Sequence, residues 1–184
     1  MNRPATGAAA SAAPLNTNRL EGTAMYLRTA TPQDLDALAA VEGRCFPPAE
    51  AADAATLGRR LAVYPDHFWL LWDGDTLVSF VNGMATDEAD LRDEMYENAA
   101  LHTETGAWQM IFGVNTLPAY RRRGCAGRPL QAAIDAARSQ GRRGLVLTCK
   151  THLLPYYAKF GFVSEGLSGS THGDTAWYQM RLRF

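Results

Sequence analysis

Apolar and polar positions alternate in several short runs of this chain and switch to a helical period in others. Residues 25–29 (Met-Tyr-Leu-Arg-Thr) predict a short first strand. Thr31-Pro32-Gln33-Asp34 has the form of a helix start: Thr as the cap, Pro at the first helical position and an acid in the first turn. Leu35, Leu38, Ala39 and Val41 carry an apolar stripe to about Arg44, and Phe46-Pro47-Pro48 stops it. A second helix is predicted over 52–62. Residues 67–72 read as an aromatic strand, Asp73-Gly74 as a hairpin turn and 77–84 as the returning strand. The polar, acidic stretch 88–101 predicts a loop with a helical turn. A strand is predicted over 108–116, then a helix with Leu130, Ile134 and Ala137 on one face that ends near Gly141. A buried strand over 144–148, a short helix over 153–160 closed by Gly161, and strands over 162–165 and 176–184 complete the chain.

The strand–helix–strand unit 108–148 implies a parallel pair, and the hairpins beside it imply antiparallel ones. The expected fold is therefore α/β with a mixed, mostly antiparallel sheet.

Length and composition narrow the picture. The chain has 184 residues, of which 47% are hydrophobic, enough for one ordinary domain over 25–184. Residues 1–24 are rich in Ala, Thr, Asn and Gly and lack the basic start and apolar core of a signal peptide, so they read as a flexible extension. No apolar run has the length of a membrane span. With a formal net charge of -1 there is no global basic field for nucleic acid. Cys45, Cys125 and Cys149 are widely spaced and form no C-x-x-C pair, which points to reduced thiols in the cytoplasm and neither a disulfide framework nor a metal site.

The chemistry concentrates in 108–129. An apolar strand runs into a turn, Arg121-Arg-Arg-Gly-Cys-Ala-Gly127, and then a helix. Small residues at a helix N-terminus let backbone N–H groups approach an anion, and the arginines add positive potential. The segment suits the phosphates of a small ligand. A tight connection that simply needs glycine is the plainer alternative, and it requires no run of arginines.

These residues resemble a known superfamily. Val114-x-x-x-Pro118-x-x-Arg121-x-x-Gly124-x-Ala126 looks like the acetyl-CoA-binding signature of the GCN5-related N-acetyltransferases (GNAT), and Pro155-Tyr-Tyr157-Ala-Lys-Phe-Gly-Phe162 looks like their later Y-x-x-x-G-F element. The likeness spans 25–184. It implies the GNAT fold, with a β-α-β acetyl-CoA core and helices on both faces of the sheet. Leu154-Pro155-Tyr156-Tyr157, Cys45-Phe46-Pro47-Pro48 and Thr175-Ala-Trp177-Tyr-Gln-Met180 are most similar to the arylalkylamine branch, which implies a small-molecule amine as substrate. A monomer or homodimer is expected.

By this resemblance the backbone of Val114, Asn115 and Thr116 pairs with the pantetheine arm. The turn residues Arg122, Arg123, Gly124, Cys125, Ala126 and Gly127 hold the pyrophosphate. Tyr157 contacts the cofactor and protonates the departing thiolate; a space-filling core tyrosine is the alternative. Phe46, Pro48, Met110, Phe112 and Trp177 would wall the amine pocket, against ordinary core packing for each. Met110 and Phe112 stand where the arylalkylamine enzymes carry two histidines, so that proton relay is not carried over. Glu50 is the expected base, with a solvated helix-start glutamate as the equal alternative. His102, Glu104 and an ordered water are the other candidates. The function expected is transfer of acetyl from acetyl-CoA directly to a primary amine, without a metal. The alternatives are a protein or peptide N-acetyltransferase and a non-catalytic acyl-CoA-binding module.

Overall fold

Seven short runs of extended chain pair into one sheet. The computed structural model describes residues 24–184. The extension expected over 1–24 lies, but for Ala24, outside the described residues. The strands are β1 (Tyr26–Thr29), β2 (Phe68–Asp73), β3 (Thr76–Thr86), β4 (Trp108–Thr116), β5 (Gly144–Cys149), β6 (Val163–Leu167) and β7 (Tyr178–Arg183), and they lie in the order β1-β2-β3-β4-β5-β7-β6. Only β4 and β5 are parallel. The other five pairings are antiparallel, so the expected mixed sheet is what forms.

Helix α1 (Leu35–Cys45) continues from a 3-10 turn at Pro32–Asp34. The Asp34 carboxylate anchors this start: it accepts from the Thr31 N–H at 2.7 Å and takes Arg28 in a two-point pair at 2.6 and 2.7 Å. α2 (Ala54–Val63) begins later than expected because Asp53, not Ala52, caps it, accepting from the Thr56 N–H at 2.7 Å. These two helices bury Leu38, Val41, Leu57 and Leu61 against Leu70, Phe80 and Met110 on one face of the sheet. α3 (Glu94–Glu97) is the helical turn expected within 88–101. On the other face α4 (Gly127–Ser139) packs Leu130, Ala133, Ile134 and Ala137 against Ile111, Leu145 and Leu147. α5 (Leu154–Ala158) brings Tyr157 to that same cluster.

Two irregularities in β4 open a slot in the sheet. Asn82 pairs with Gly113 but Gly83 pairs with Ile111, so Phe112 is an extra residue, a bulge on β4. Gly83 allows it: a Cβ there would sit 1.7 Å from the Met110 carbonyl oxygen. In addition, β4 pairs with β5 only over 108–111 against 144–147. Past the bulge the two parallel strands part and leave a gap between their edges.

Candidate active site

A cavity of about 350 Å³ lies where β4 and β5 separate. Phe112, Gly113 and Val114 form one wall and Leu147, Thr148 and Cys149 the other. Phe46, Pro48 and Glu50 come from the chain after α1, Tyr157 from α5, and His172 and Trp177 from the segment before β7. Residues proposed from distant parts of the sequence thus meet at one opening.

The segment 168–177 closes one side. The Asp93 carboxylate accepts from the Ser170 hydroxyl and from the Thr171 N–H. The His172 ring stacks on Tyr96 with 5.2 Å between centroids, and its Nε2 lies 3.1 Å from the Glu50 carbonyl oxygen. Trp177 donates its indole N–H to the His172 carbonyl at 2.6 Å. Lys150 ties this segment to the chain after α1, with its ammonium 2.7 Å from Glu50 Oε1 and 5.6 Å from the centre of the Trp177 ring.

Tyr157 is buried, lines the cavity, and has no hydrogen-bond partner for its hydroxyl among the described residues. Burial pushes its phenol well above the ordinary tyrosine range, with the neighbouring Cys149 and Tyr156 adding to the effect. It therefore keeps its proton through neutral and mildly alkaline pH. Burial also pushes the Cys149 thiol up, to about 11, so the cavity's cysteine is a thiol rather than a thiolate nucleophile.

The glycine-rich turn joins β4 to α4. Arg122 and Gly124 have φ of 60° and 76°, the left-handed region in which glycine is at ease and arginine is strained. The N–H groups of Arg122, Arg123, Gly124, Cys125 and Ala126 donate to no backbone acceptor among the described residues, and the α4 N-terminus comes directly after them. The Arg122 and Arg123 side chains are exposed. The Cys125 side chain points the other way, buried against Leu71 and Val78. Val114 faces the cavity, while Asn115 and Thr116 are buried, the latter with its hydroxyl 2.9 Å from that of Ser79.

Some expected residues fall elsewhere. Met110 does not wall the cavity. It precedes the bulge, is wholly buried, and packs with the core beneath α1 and α2. Phe112, two residues later, does line the cavity. His102 and Glu104 belong to a separate network: Glu104 Oε2 is 3.0 Å from His67 Nε2 and 3.1 Å from His102 Nε2, and Oε1 is 3.4 Å from Arg142. The three residues lie close enough to suggest a metal centre. The hydrogen bonds oppose it: His102 Nδ1 accepts from the Ala85 N–H, so its Nε2 carries the proton and has no lone pair to give.

Sequence reasoning missed Glu42, Arg60 and Asn82, all buried and all in the cavity wall. Arg60 donates to Asn82 Oδ1 at 3.0 Å and to the Tyr96 carbonyl at 2.8 Å, and lies 4.7 Å over the Phe112 ring. Glu42 Oε1 accepts from the Ala52 N–H at 3.0 Å. The available signal was the helical period: Glu42 stands four residues after Leu38 on the α1 stripe, and Arg60 three after Leu57 on that of α2.

Known proteins share this fold. The profile of the Acetyltransferase (GNAT) family matches residues 35–162. No curated protein matches the chain significantly. Among solved structures, the loading GNATL domain of CurA from Lyngbya majuscula is similar with a TM-score of 0.75 at 20% identity, covering 87% of this chain and 98% of that one. The GphF GNAT-like decarboxylase in complex with isobutyryl-CoA has a TM-score of 0.70 at 24% identity, with 86% and 98% covered. Naa50 of Arabidopsis thaliana, in complex with the bisubstrate analogue CoA-Ac-MVNAL, has a TM-score of 0.68 at 17% identity, with 87% and 99% covered. At these identities the likeness is one of fold. The family profile spans well over half of the chain, and the chain belongs to the Acetyltransferase (GNAT) family, acyltransferases that use acetyl-CoA.

Proposed function

We propose that this protein acetylates the primary amine of a small molecule, an arylalkylamine or similar, by direct transfer from acetyl-CoA. The observation that carries this reading is the cavity itself. Its volume of about 350 Å³ is at the small end for ligand sites, and Phe46, Phe112, Tyr96 and Trp177 line it. A peptide needs an open groove; here 168–177 covers one side. Aromatic walls suit an aryl or alkyl amine.

The residues fit coenzyme A. Unpaired N–H groups over 122–126 and the α4 N-terminus are suited to its pyrophosphate, and the edge of Val114, Asn115 and Thr116 that β5 leaves unpaired to the pantetheine arm. Acetyl-CoA supplies an activated thioester there. Tyr157 holds a proton at its phenol oxygen for the departing sulfur. Cys149, kept as a thiol, takes no acyl group, which favours direct transfer. Glu50, the base expected from the sequence, has one carboxylate oxygen paired with Lys150 at the cavity. Three free cysteines fit a cytoplasmic setting.

Naa50's peptide-bearing analogue and GphF's description as a decarboxylase mark the two competing readings for this fold. Acceptor specificity separates them. Phenethylamine or tryptamine should show kcat/KM at least about 10-fold above that of a short peptide. Preference for the peptide, or carbon dioxide release from a carboxylated acyl-CoA in place of amine acetylation, overturns the proposal.

A further inference from the structure

α1 contributes a buried carboxylate to the cavity wall. Glu42 is buried, lines the cavity, and uses only Oε1, toward the Ala52 N–H; Oε2 has no partner. Beside it stand two more incompletely satisfied groups: Arg60, whose Nε is unpartnered, and Asn115, whose amide N and O both are. Native interiors contain few such atoms, because each costs free energy to bury unpaired. Four such atoms on three neighbouring residues, two of which line a ligand-sized cavity, mark a place where polar chemistry happens with something the protein does not itself supply.

We infer that Glu42 is the general base: the carboxylate that takes the proton from the acceptor amine. The inference rests on the acetyltransfer reading and supplies the proton acceptor that Met110 and Phe112 leave missing from it. In the step, the amine nitrogen forms a bond to the acetyl carbon as the carbon–sulfur bond breaks. The nitrogen's proton goes to Glu42 Oε2, and the thiolate takes a proton from Tyr157. Glu42 ends neutral and Tyr157 ends as phenolate, and exchange with solvent through the cavity mouth resets both.

The surroundings tune the carboxyl group for this. Burial raises its pKa, opposed by the Ala52 N–H, by the Arg60 guanidinium of α2 and by His172 of the covering segment. Cys45, on Glu42's own helix, is the other titratable group facing it. The result is a stronger base than an exposed glutamate, beside a cation that favours its charged form. Arg60 also disfavours a retained ammonium nearby, so proton transfer to Glu42 relieves a repulsion. Arg60 is a positioning residue here, with both terminal nitrogens tied to Asn82 and Tyr96.

The test is the pH dependence of kcat/KM for phenethylamine in full-length Glu42→Gln, with acetyl-CoA affinity measured by calorimetry in parallel. Gln keeps the acceptor for the Ala52 N–H, so acetyl-CoA affinity should stay within about 3-fold. At pH 7 the rate should fall about 100-fold or more. The acid limb should move up to the pKa of the free amine, so that the deficit shrinks at high pH. Glu50→Gln should leave the acid limb where the wild type has it, whatever its rate. Glu42→Asp, which withdraws the carboxylate by one methylene, gives an independent check should the Gln variant fold poorly: kcat should fall about 10-fold with the acid limb kept. A Glu42→Gln profile that superimposes on the wild type, or Glu42→Asp at the wild-type rate, overturns the assignment while leaving acetyltransfer intact. A wild-type protein that binds acetyl-CoA and acetylates no amine overturns both.

Discussion

Replacing Tyr157 with Phe removes one oxygen from a site where the structure shows what else must stay the same. The Tyr157 ring packs edge-on to Tyr156 at 5.2 Å and to Phe162 at 6.1 Å, and a phenylalanine ring keeps both contacts. The lost hydroxyl has no partner among the described residues, so no buried group is orphaned and stability should change by less than about 1 kcal/mol. If the hydroxyl protonates the departing thiolate, kcat should fall by about 10² to 10⁴, equivalent to roughly 3–5 kcal/mol of barrier. Acetyl-CoA affinity should stay within about 3-fold, because the turn over 121–127 and the edge of β4 are untouched. The wild type should keep its acid through about pH 10, since burial places the phenol above the ordinary tyrosine range. The assay is CoA release and acetylated product by chromatography, with thermal melting and calorimetry on the same preparations. A kcat within about 3-fold of the wild type, with intact binding, refutes the role of Tyr157.

Three further outcomes are expected from the fold and the cavity. Asp34→Ala removes the two-point Arg28 pair and the acceptor for the Thr31 N–H; with the surface side of that pair discounted for solvent, about 2 kcal/mol should be lost at pH 7. Hydrogen bonding to Arg28 holds this carboxyl below its usual range, so its stabilisation is present above about pH 4 and fades as pH falls through the lowered value; melting curves of variant and wild type should converge in acid. Gly83→Ala drives a Cβ to 1.7 Å from the Met110 carbonyl and should cost at least about 3 kcal/mol, read as a fall in Tm of about 10 °C. Trp177→Ala should raise KM for phenethylamine by about 10-fold or more through lost apolar contact, with a smaller change in kcat, measured by steady-state kinetics.

The fold was largely legible in the sequence because its signals are local. The apolar run over Trp108–Thr116, the glycine-rich turn after it and the apolar face of α4 each declare themselves within a dozen residues, and the β4–β5 crossover is dictated by their order. The residues proposed for the cofactor side were found for the same reason: the turn and Tyr157 lie in compact motifs. The amine side was not. The expected pocket role of Met110 failed because alternation does not say which of two same-facing residues meets a cavity; that depends on a bulge at Phe112, licensed by Gly83 on the neighbouring strand. Glu42 looked like one more polar residue on a helix. Its meaning comes from Arg60 on the next helix, Asn115 on β4 and His172 far along the chain, and only the assembled sheet brings them together.

Direct acetyl transfer to an amine is decided by the stoichiometry of one reaction: acetyl-CoA and phenethylamine with the full-length protein, with CoA released and N-acetylphenethylamine formed both counted, together with the intact mass of the protein during turnover. Direct transfer requires one acetylated amine per CoA, no CoA release without amine, and no acetylated form of the protein. CoA released without acetylated amine, an acetyl group lodged on the protein, or acetyl-CoA bound with no turnover would each contradict it.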